Sequence, residues 1–284
     1  MLRKGDLTQG GIITTLLQFT LPMLAGSLLQ QCYNIADTLI VGQCIGSNAL
    51  AAVGSAYTLM VFLISILLGL SMGSGTVFSL QYGAGDLSAL RRSIYVSLLL
   101  IGTVTILLNV AVFLWLDPIL RWLQVPYDIY SLMRNYLWII FWGIVFTFLY
   151  NFYAALLRAV GDSVTPLWFL AVSVVLNIGL DLFLILVLDQ GIEGAAVATI
   201  IAQGTAASGI LLYTYKTRPE LRLHREDMCF DRSSLREITS FSTLTCVQQS
   251  VMNFGILMVQ GLVNSFGTVV MRSEERRVGK ECRS

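Results

Sequence analysis

Two acidic residues lie within long apolar stretches of this sequence. Asp37 is near the end of the apolar stretch 12–40, and Asp181 lies within the stretch 165–188. A charged side chain in the middle of a bilayer costs about 2.5–3.5 kcal/mol on the translocon scale, and less near the interface. Because such a cost usually accompanies a function, both acids are candidate site residues. The simpler alternative is that each acid faces water at the outer membrane surface.

Each of these acids has an amide side chain on the same helical face. Asn34 precedes Asp37 by three residues, and Asn177 precedes Asp181 by four, which are the spacings of helical neighbours. If the two helices face each other, two carboxylates and two amide oxygens converge. Such a group suits Na⁺, which as a hard cation prefers oxygen ligands, or a proton held by a buried acid. The residues do not choose between these two cations.

The rest of the sequence offers little material for other chemistry. It contains one histidine, His224, in a charged stretch that we expect to be solvated, and five cysteines without metal or redox spacing. No pair of nucleophile and base is visible, so we expect neither an enzyme nor a bound cofactor. The net charge of +1 gives no sign of a nucleic-acid partner, which would need a concentrated basic surface.

The composition is that of a chain whose solvent is the lipid bilayer. Hydrophobic residues make up 56% and charged residues 12%, whereas a soluble domain has about a quarter charged residues, and the mean hydropathy is +0.74. Lipid cannot satisfy a free backbone amide, so every apolar stretch long enough to span should be helical. We therefore predict an all-α polytopic membrane protein with seven spans, at 12–40, 50–81, 93–115, 133–157, 165–188, 194–215 and 238–270.

The distribution of basic residues predicts the orientation of these spans. When the connections are assigned alternately to the two sides, eleven Lys and Arg fall on the side of the N-terminus and two, Arg121 and Arg134, fall on the other side. Such a bias places the N-terminus and the long connection after the sixth span in the cytoplasm. We expect a multi-pass protein of the cell membrane, with the first apolar stretch retained as a signal anchor.

Local signals indicate where several helices begin and end. Gly161 is expected to end the fourth helix, and Asp162 or Ser163 to cap the fifth, with Pro166 in its first turn. The sequence Ser234-Leu-Arg-Glu237 has the form of a capping box for the seventh helix.

These boundaries divide the chain into four predicted parts. They are a six-helix lobe at 1–215, a cytoplasmic linker at 216–237, one further helix at 238–270 and a tail at 271–284. Eight of the last thirteen residues are charged, and the tail would place five more Lys and Arg on the outer side. We interpret it as a non-native ending that follows a truncation.

Two helical motifs carry structural hypotheses. Pro22 lies in the middle of the first span, where it removes a backbone hydrogen bond and is a candidate hinge. Gly69 and Gly73 form a GxxxG motif in the second span, which favours close packing against another helix.

Several short motifs together resemble the multidrug and toxic compound extrusion (MATE) transporters, especially the bacterial ones. The resemblance extends over about residues 8–270. It is carried by Pro22, Gln30, Tyr33, Asn34, Asp37-Thr-Leu-Ile-Val-Gly42, Gln81-Tyr-Gly-Ala-Gly-Asp86, Arg158-Ala-Val-Gly-Asp162-Ser-Val-Thr-Pro166, Asn177 and Asp181.

This resemblance implies a fold of twelve helices in two six-helix lobes, of which this chain would hold the N-terminal lobe and one helix of the second. It implies alternating access and the export of amphipathic, often cationic compounds in exchange for H⁺ or Na⁺, by a monomer when full length. Asp37, Asn177 and Asp181 match positions implicated in cation binding, and Pro22 matches a proline linked to bending of the first helix.

The sequence also departs from the family pattern. Some members carry an acid in the seventh span, where this chain has Gln248 and Gln249. Two other functions remain open: a lipid-linked oligosaccharide flippase of the same superfamily, and a non-transporting fragment or interaction protein. A flippase would favour a cavity rich in Lys or Arg for a pyrophosphate, and the sequence shows no Lys or Arg well inside the spans.

Overall fold

The computed structural model describes residues 12–227 and 231–265, and in these ranges the fold is entirely helical. Eight α-helices follow one another: α1 Ile12–Cys44, α2 Ser47–Gly83, α3 Leu87–Trp122, α4 Tyr127–Ile140, α5 Ile144–Ala159, α6 Val164–Leu182, α7 Gly191–Thr217 and α8 Arg232–Ser265. A 3₁₀ turn, Phe141–Gly143, joins α4 to α5, and a π-helical turn, Phe183–Val187, extends α6.

Six of the predicted spans correspond to helical segments long and apolar enough to cross a membrane. They are Ser47–Gly83, Leu87–Trp122, Tyr127–Ala159, Val164–Val187, Gly191–Thr217 and Arg232–Asn264. The all-α membrane fold is therefore confirmed. The first predicted span forms the continuous helix α1, and its crossing of the membrane stays a prediction, as does a hinge at Pro22 within it.

Two spans are less regular than the sequence predicts. The fourth consists of α4 and α5, and the turn between them brings Gly143 so close to Ile200 on α7 that an added Cβ would lie 2.9 Å from its Cγ1. Helix α3 bends at Trp115 (φ −115°, ψ 15°), three residues before Pro118. A proline ring crowds the preceding turn of its helix, which explains this bend.

The predicted boundary between α5 and α6 is confirmed. Gly161, two residues after the end of α5, adopts φ +87°, a left-handed conformation that glycine tolerates without strain. The cap of α6 is Asp162 and not Ser163, because the Asp162 carboxylate accepts a 3.0 Å hydrogen bond from the backbone N–H of Thr165. Pro166 lies in the first turn of α6, as expected.

The predicted capping box at Ser234 is wrong. Helix α8 already begins at Arg232, and its cap is Asp231, whose carboxylate accepts hydrogen bonds from the backbone N–H groups of Ser233 (3.0 Å) and Ser234 (3.3 Å). The Ser234 hydroxyl donates to the same carboxylate at 2.8 Å instead of capping the helix itself. The hydrogen bond from the Ser234 hydroxyl, together with those from the two backbone N–H groups, holds the pKa of Asp231 below its usual value.

Helix α2 is the scaffold of the bundle, because it contacts α1, α3, α4, α5 and α8. Its closest neighbour is α8. A Cβ added to Gly69 or Gly73 would overlap the backbone of Cys246 or Ser242, respectively. The Ser242 hydroxyl, in addition, donates to the carbonyl of Leu70 at 3.1 Å. The close packing predicted for the GxxxG motif is therefore confirmed, and α8 is its partner.

The segment between α7 and α8 lies against one end of the bundle. Arg218 forms an ion pair with Asp162 at 3.3 Å, and Arg91 forms one with Asp227 at 2.9 Å. The side chain of Leu221, which lies between Arg218 and Asp227 in the sequence, is buried. We call this end, marked by the turns at 84–86 and 160–163 and by residues 218–227, the linker end. The linker is shorter than predicted, since α7 continues to Thr217 and α8 starts at Arg232. The lobe boundaries themselves remain a prediction, and the tail predicted at 271–284 lies outside the described residues.

Replacing Gly73 by alanine should separate α8 from α2, because the new Cβ meets the backbone of Ser242. Overpacking of this kind typically costs about 1–3 kcal/mol. The measurement is disulfide formation between S74C and S242C, whose hydroxyl oxygens lie 3.4 Å apart, in a background with the native cysteines replaced by serine. Gly179→Ala is the matched control, since no atom lies within 4 Å of its added Cβ. Equal cross-linking in both variants would refute the close backbone approach at Gly73, and no cross-linking in either would refute the α2–α8 contact.

Replacing Asp231 by alanine should lower the melting temperature of the detergent-solubilised protein by removing the cap of α8. Because the folded-state pKa of Asp231 is depressed, its contribution is present above the ordinary pKa of about 4 and is lost as the pH falls through the folded value. The difference from wild type should therefore shrink in acid. Glu237→Gln alters the acid of the rejected capping box and should leave the melting temperature unchanged. A larger decrease for Glu237→Gln than for Asp231→Ala would support the capping box instead.

Candidate functional site

Helices α1 and α6 pack against each other and bring Asp37 and Asp181 together. Asp37 is 9% exposed and Asp181 is fully buried. Their carboxyl groups are close enough for one to hydrogen-bond to the other when it carries a proton. Two acids that are 144 positions apart in the sequence therefore form one buried pair.

Asn177 lies one helical turn from Asp181 and is fully buried. Its amide donates a hydrogen bond to the Thr199 hydroxyl of α7 at 3.4 Å, and the same hydroxyl lies 3.3 Å from the hydroxyl of Tyr33 on α1. This chain of polar contacts joins α1, α6 and α7 beside the acid pair. The hydrogen bond from the Asn177 amide nitrogen to Thr199 orients the Asn177 side chain and so fixes the position of the amide oxygen.

The acid pair presents buried oxygen atoms that no group of the described chain satisfies. They are Asp37 Oδ1, Asn177 Oδ1 and both carboxylate oxygens of Asp181. An unpaired buried carboxylate is costly in a medium of low polarity, and two adjacent ones repel each other as well. The arrangement is therefore suited to bind a cation, either as a proton shared by the carboxyl groups or as a metal cation with oxygen ligands.

Asn34, the fourth residue predicted for this site, points elsewhere. Its amide donates to the side-chain oxygen of Gln31 at 3.2 Å and to the hydroxyl of Tyr57 on α2 at 3.0 Å. The structure thus groups Asp37, Asn177 and Asp181, and it places Asn34 at the contact between α1 and α2.

Three residues near the acids were not assigned to the site from the sequence. Tyr33 and Thr199 belong to the polar chain described above, and the buried Tyr136 of α4 is within electrostatic reach of both carboxyl groups. Tyr33 lies one turn before Asp37, so its spacing carried a signal. Thr199 and Tyr136 are single polar residues in apolar helices, and only the tertiary packing shows where they point.

The acid pair adjoins a cavity of about 680 Å³ that is lined by residues of α1, α2 and α4 to α8. Pro22, Asn34 and Asp37 line it from α1, whereas Asn177 and Asp181 lie behind its wall. Its lining combines apolar side chains such as Ile64 and Leu68 with polar ones, which include Gln30, Tyr57, Thr147, Asn151, Gln203 and Asn253. Cavities of this size and mixed polarity hold small amphipathic molecules.

Hydrogen bonds fix part of the polar lining. The Thr147 hydroxyl donates to Gln203 at 2.6 Å, which ties α5 to α7, and Asn151 donates to the carbonyl of Thr147 at 2.8 Å. Arg158 also lines the cavity, near the linker end. Arg158 belongs to the last turn of α5, so it does not contradict the expectation that no Lys or Arg lies well inside the spans.

The model of the MatE family matches residues 22–183, which is more than half of the chain and includes the acid pair and Asn177. The chain belongs to the MatE family. This MatE chain is 34% identical over 266 residues to "Probable multidrug resistance protein YpnP" of Bacillus subtilis, covering 94% of this chain and 59% of that protein. It is 28% identical to "Multidrug export protein MepA" of Staphylococcus aureus, covering 92% of this chain and 58% of that protein.

The fold of this MatE chain is also that of solved transporters. A structure described as the "outward-facing conformation of a multidrug resistance MATE family transporter of the MOP superfamily" matches with a TM-score of 0.83. The sequences are 22% identical, and the match covers 90% of this chain and 57% of the other. The MatE chain thus spans less than two thirds of the length of these relatives.

Proposed function

We propose that this MatE chain is part of a secondary active antiporter that exports amphipathic, often cationic compounds across the cell membrane in exchange for H⁺ or Na⁺. Export by alternating access would be the activity of the full-length transporter, acting as a monomer with a cytoplasmic N-terminus. The relatives described as multidrug export or resistance proteins support the class of substrate.

The acid pair is the observation that carries this proposal. Asp37 and Asp181 are buried, adjacent and unsatisfied by any described protein group. A site of this kind is stable only with a cation bound, so it should be reloaded with H⁺ or Na⁺ whenever it gives one up. Its position beside a drug-sized cavity supports a link between cation occupancy and substrate binding.

The other two functions have less support. A flippase for a lipid pyrophosphate would need several cationic side chains in the cavity, whereas Arg158 is the one Lys or Arg that lines it among the described residues. A purely structural or interaction role gives no reason to bury two carboxylates side by side. An export function accounts for both the acids and the cavity.

In a full-length transporter that carries this sequence, Asp181→Asn should abolish gradient-driven export while leaving membrane expression intact. The amide keeps the shape of the side chain but cannot carry the negative charge that attracts a cation. The measurement is efflux of ethidium from cells or from proteoliposomes with an imposed H⁺ or Na⁺ gradient. Asp128→Asn, at an exposed acid in the first turn of α4, is the matched control. Unchanged efflux by Asp181→Asn would refute the proposed role of the acid pair.

The two asparagines should behave differently in the same assay. Asn177→Ala should weaken the dependence of export on the coupling cation, since Asn177 presents an unsatisfied buried oxygen next to Asp181. Asn34→Ala should leave that dependence unchanged, because the Asn34 amide is used in contacts with Gln31 and Tyr57. The quantity to compare is the H⁺ or Na⁺ concentration that gives half-maximal export. A larger change for Asn34→Ala would show that the cation binds elsewhere on α1.

A further inference from the structure

Arg158 is a cation in the wall of the same cavity, far from the acid pair. It lies in the last turn of α5, a position that favours a positive charge, and it is partly buried. Tyr150 of α5 and Ser163, directly before α6, line the cavity beside it. The cavity therefore contains charged groups of both signs.

The hydrogen bonds of Arg158 leave most of its donors free. Its Nε donates to the carbonyl of Ala154 at 3.1 Å, and among the described residues no carboxylate lies within ion-pair distance of it. The nearest acid along the chain, Asp162, is already held by Thr165 and by Arg218. The two terminal nitrogens of Arg158 consequently have no partner within the described protein.

A guanidinium that is partly withdrawn from water and has no counter-charge gains free energy when it binds an anion. Its planar fork of N–H groups matches the two oxygens of a carboxylate or phosphate, which is the strongest kind of partner for it. The lining that surrounds Arg158 therefore suits an anionic group on a ligand that enters the cavity.

The guanidinium and the acid pair are too far apart to compete for one small charged group. Gln203 of α7 contacts Thr147 of α5, and Thr199 lies one turn beyond Gln203 towards the acids. Arg158 is anchored at the level of Ala154, seven residues beyond Thr147 on α5. At 1.5 Å per residue, the two charged regions are about 16 Å apart along the bundle. Leu167 and Leu170 line the cavity from α6, and Ile64 and Leu68 line it from α2.

We propose that Arg158 forms an anion subsite of the cavity, which binds the carboxylate or phosphate of an amphipathic ligand while the apolar lining holds its body. This inference rests on the proposed function, because it takes the cavity as the drug site. It extends the class of ligands from cations to zwitterionic and anionic amphiphiles. The anionic group could belong to a dissolved compound or to the headgroup of a lipid.

The test compares two dyes that differ by one carboxylate, rhodamine B and its ethyl ester. Binding to the 284-residue chain in phosphatidylcholine nanodiscs is measured by fluorescence anisotropy. Arg158→Gln should weaken the binding of rhodamine B about tenfold, the loss of one charge-assisted contact, and leave that of the ester unchanged. Arg158→Lys, which keeps the charge, should recover part of the affinity. Arg225→Gln removes an exposed charge of the linker and should alter neither dye.

Adding phosphatidylglycerol to the nanodiscs separates the two sources of the anion. Competition with rhodamine B in the wild type, absent in Arg158→Gln, would assign the subsite to a lipid phosphate, and no competition would assign it to a dissolved carboxylate. An equal loss for both dyes, or none, in Arg158→Gln would overturn the anion subsite. Failure of both dyes to bind the wild type would overturn the cavity as the drug site. Neither result depends on Asp181→Asn, so the two proposals fail separately.

Discussion

The structure is organised around two carboxyl groups that are held out of water next to each other. Each buried carboxyl group is unfavourable without a cation, and the two carboxylates repel each other. The surrounding helices must therefore keep the two acids together and away from water. Contacts between Tyr33, Thr199 and Asn177 join α1, α7 and α6 at this point, and the Thr147–Gln203 hydrogen bond joins α7 to α5. The free energy that holds the pair together therefore comes from helix packing, since the pair itself opposes folding unless a cation is bound.

Helix α2 packs against α1, one of the two helices that carry the pair, and against α3, α4, α5 and α8. Gly69 and Gly73 have no side chains, so the backbone of α8 can approach α2 closely at these positions. The small Ser242 side chain also fits there and donates a hydrogen bond to the carbonyl of Leu70. In lipid, where apolar side chains gain nothing by leaving the surroundings, such close backbone approach is a main source of attraction between helices. The linker end is fastened by ion pairs instead, where Arg91 and Arg218 bind Asp227 and Asp162. The bundle thus uses different interactions in the apolar middle and at its polar end.

The sequence predicted those features that depend on composition and short spacing. Apolar length identified the spans, and the cost of a charge in lipid singled out Asp37 and Asp181. Features that depend on how side chains turn could not be predicted. Asn34 has the right spacing from Asp37 but bonds to Tyr57, and Asp231 outcompetes Ser234 as the cap of α8 because its carboxylate reaches two backbone amides. The sequence likewise does not show that the Arg158 side chain bonds back to the carbonyl of Ala154 and lines the cavity.

The different exposure of the two acids to the cavity suggests how exchange would operate in the proposed antiporter. Asp37 lines the cavity, whereas Asp181 lies behind the wall and touches Asp37. A cationic substrate in the cavity can therefore interact with Asp37 directly but can affect Asp181 only through it. When a substrate attracts the Asp37 carboxylate, the cation held by the pair loses one of its ligands and is bound more weakly, and the reverse also holds because such coupling is reciprocal. Exchange would then follow from one shared carboxylate, without a second binding site for the coupling ion.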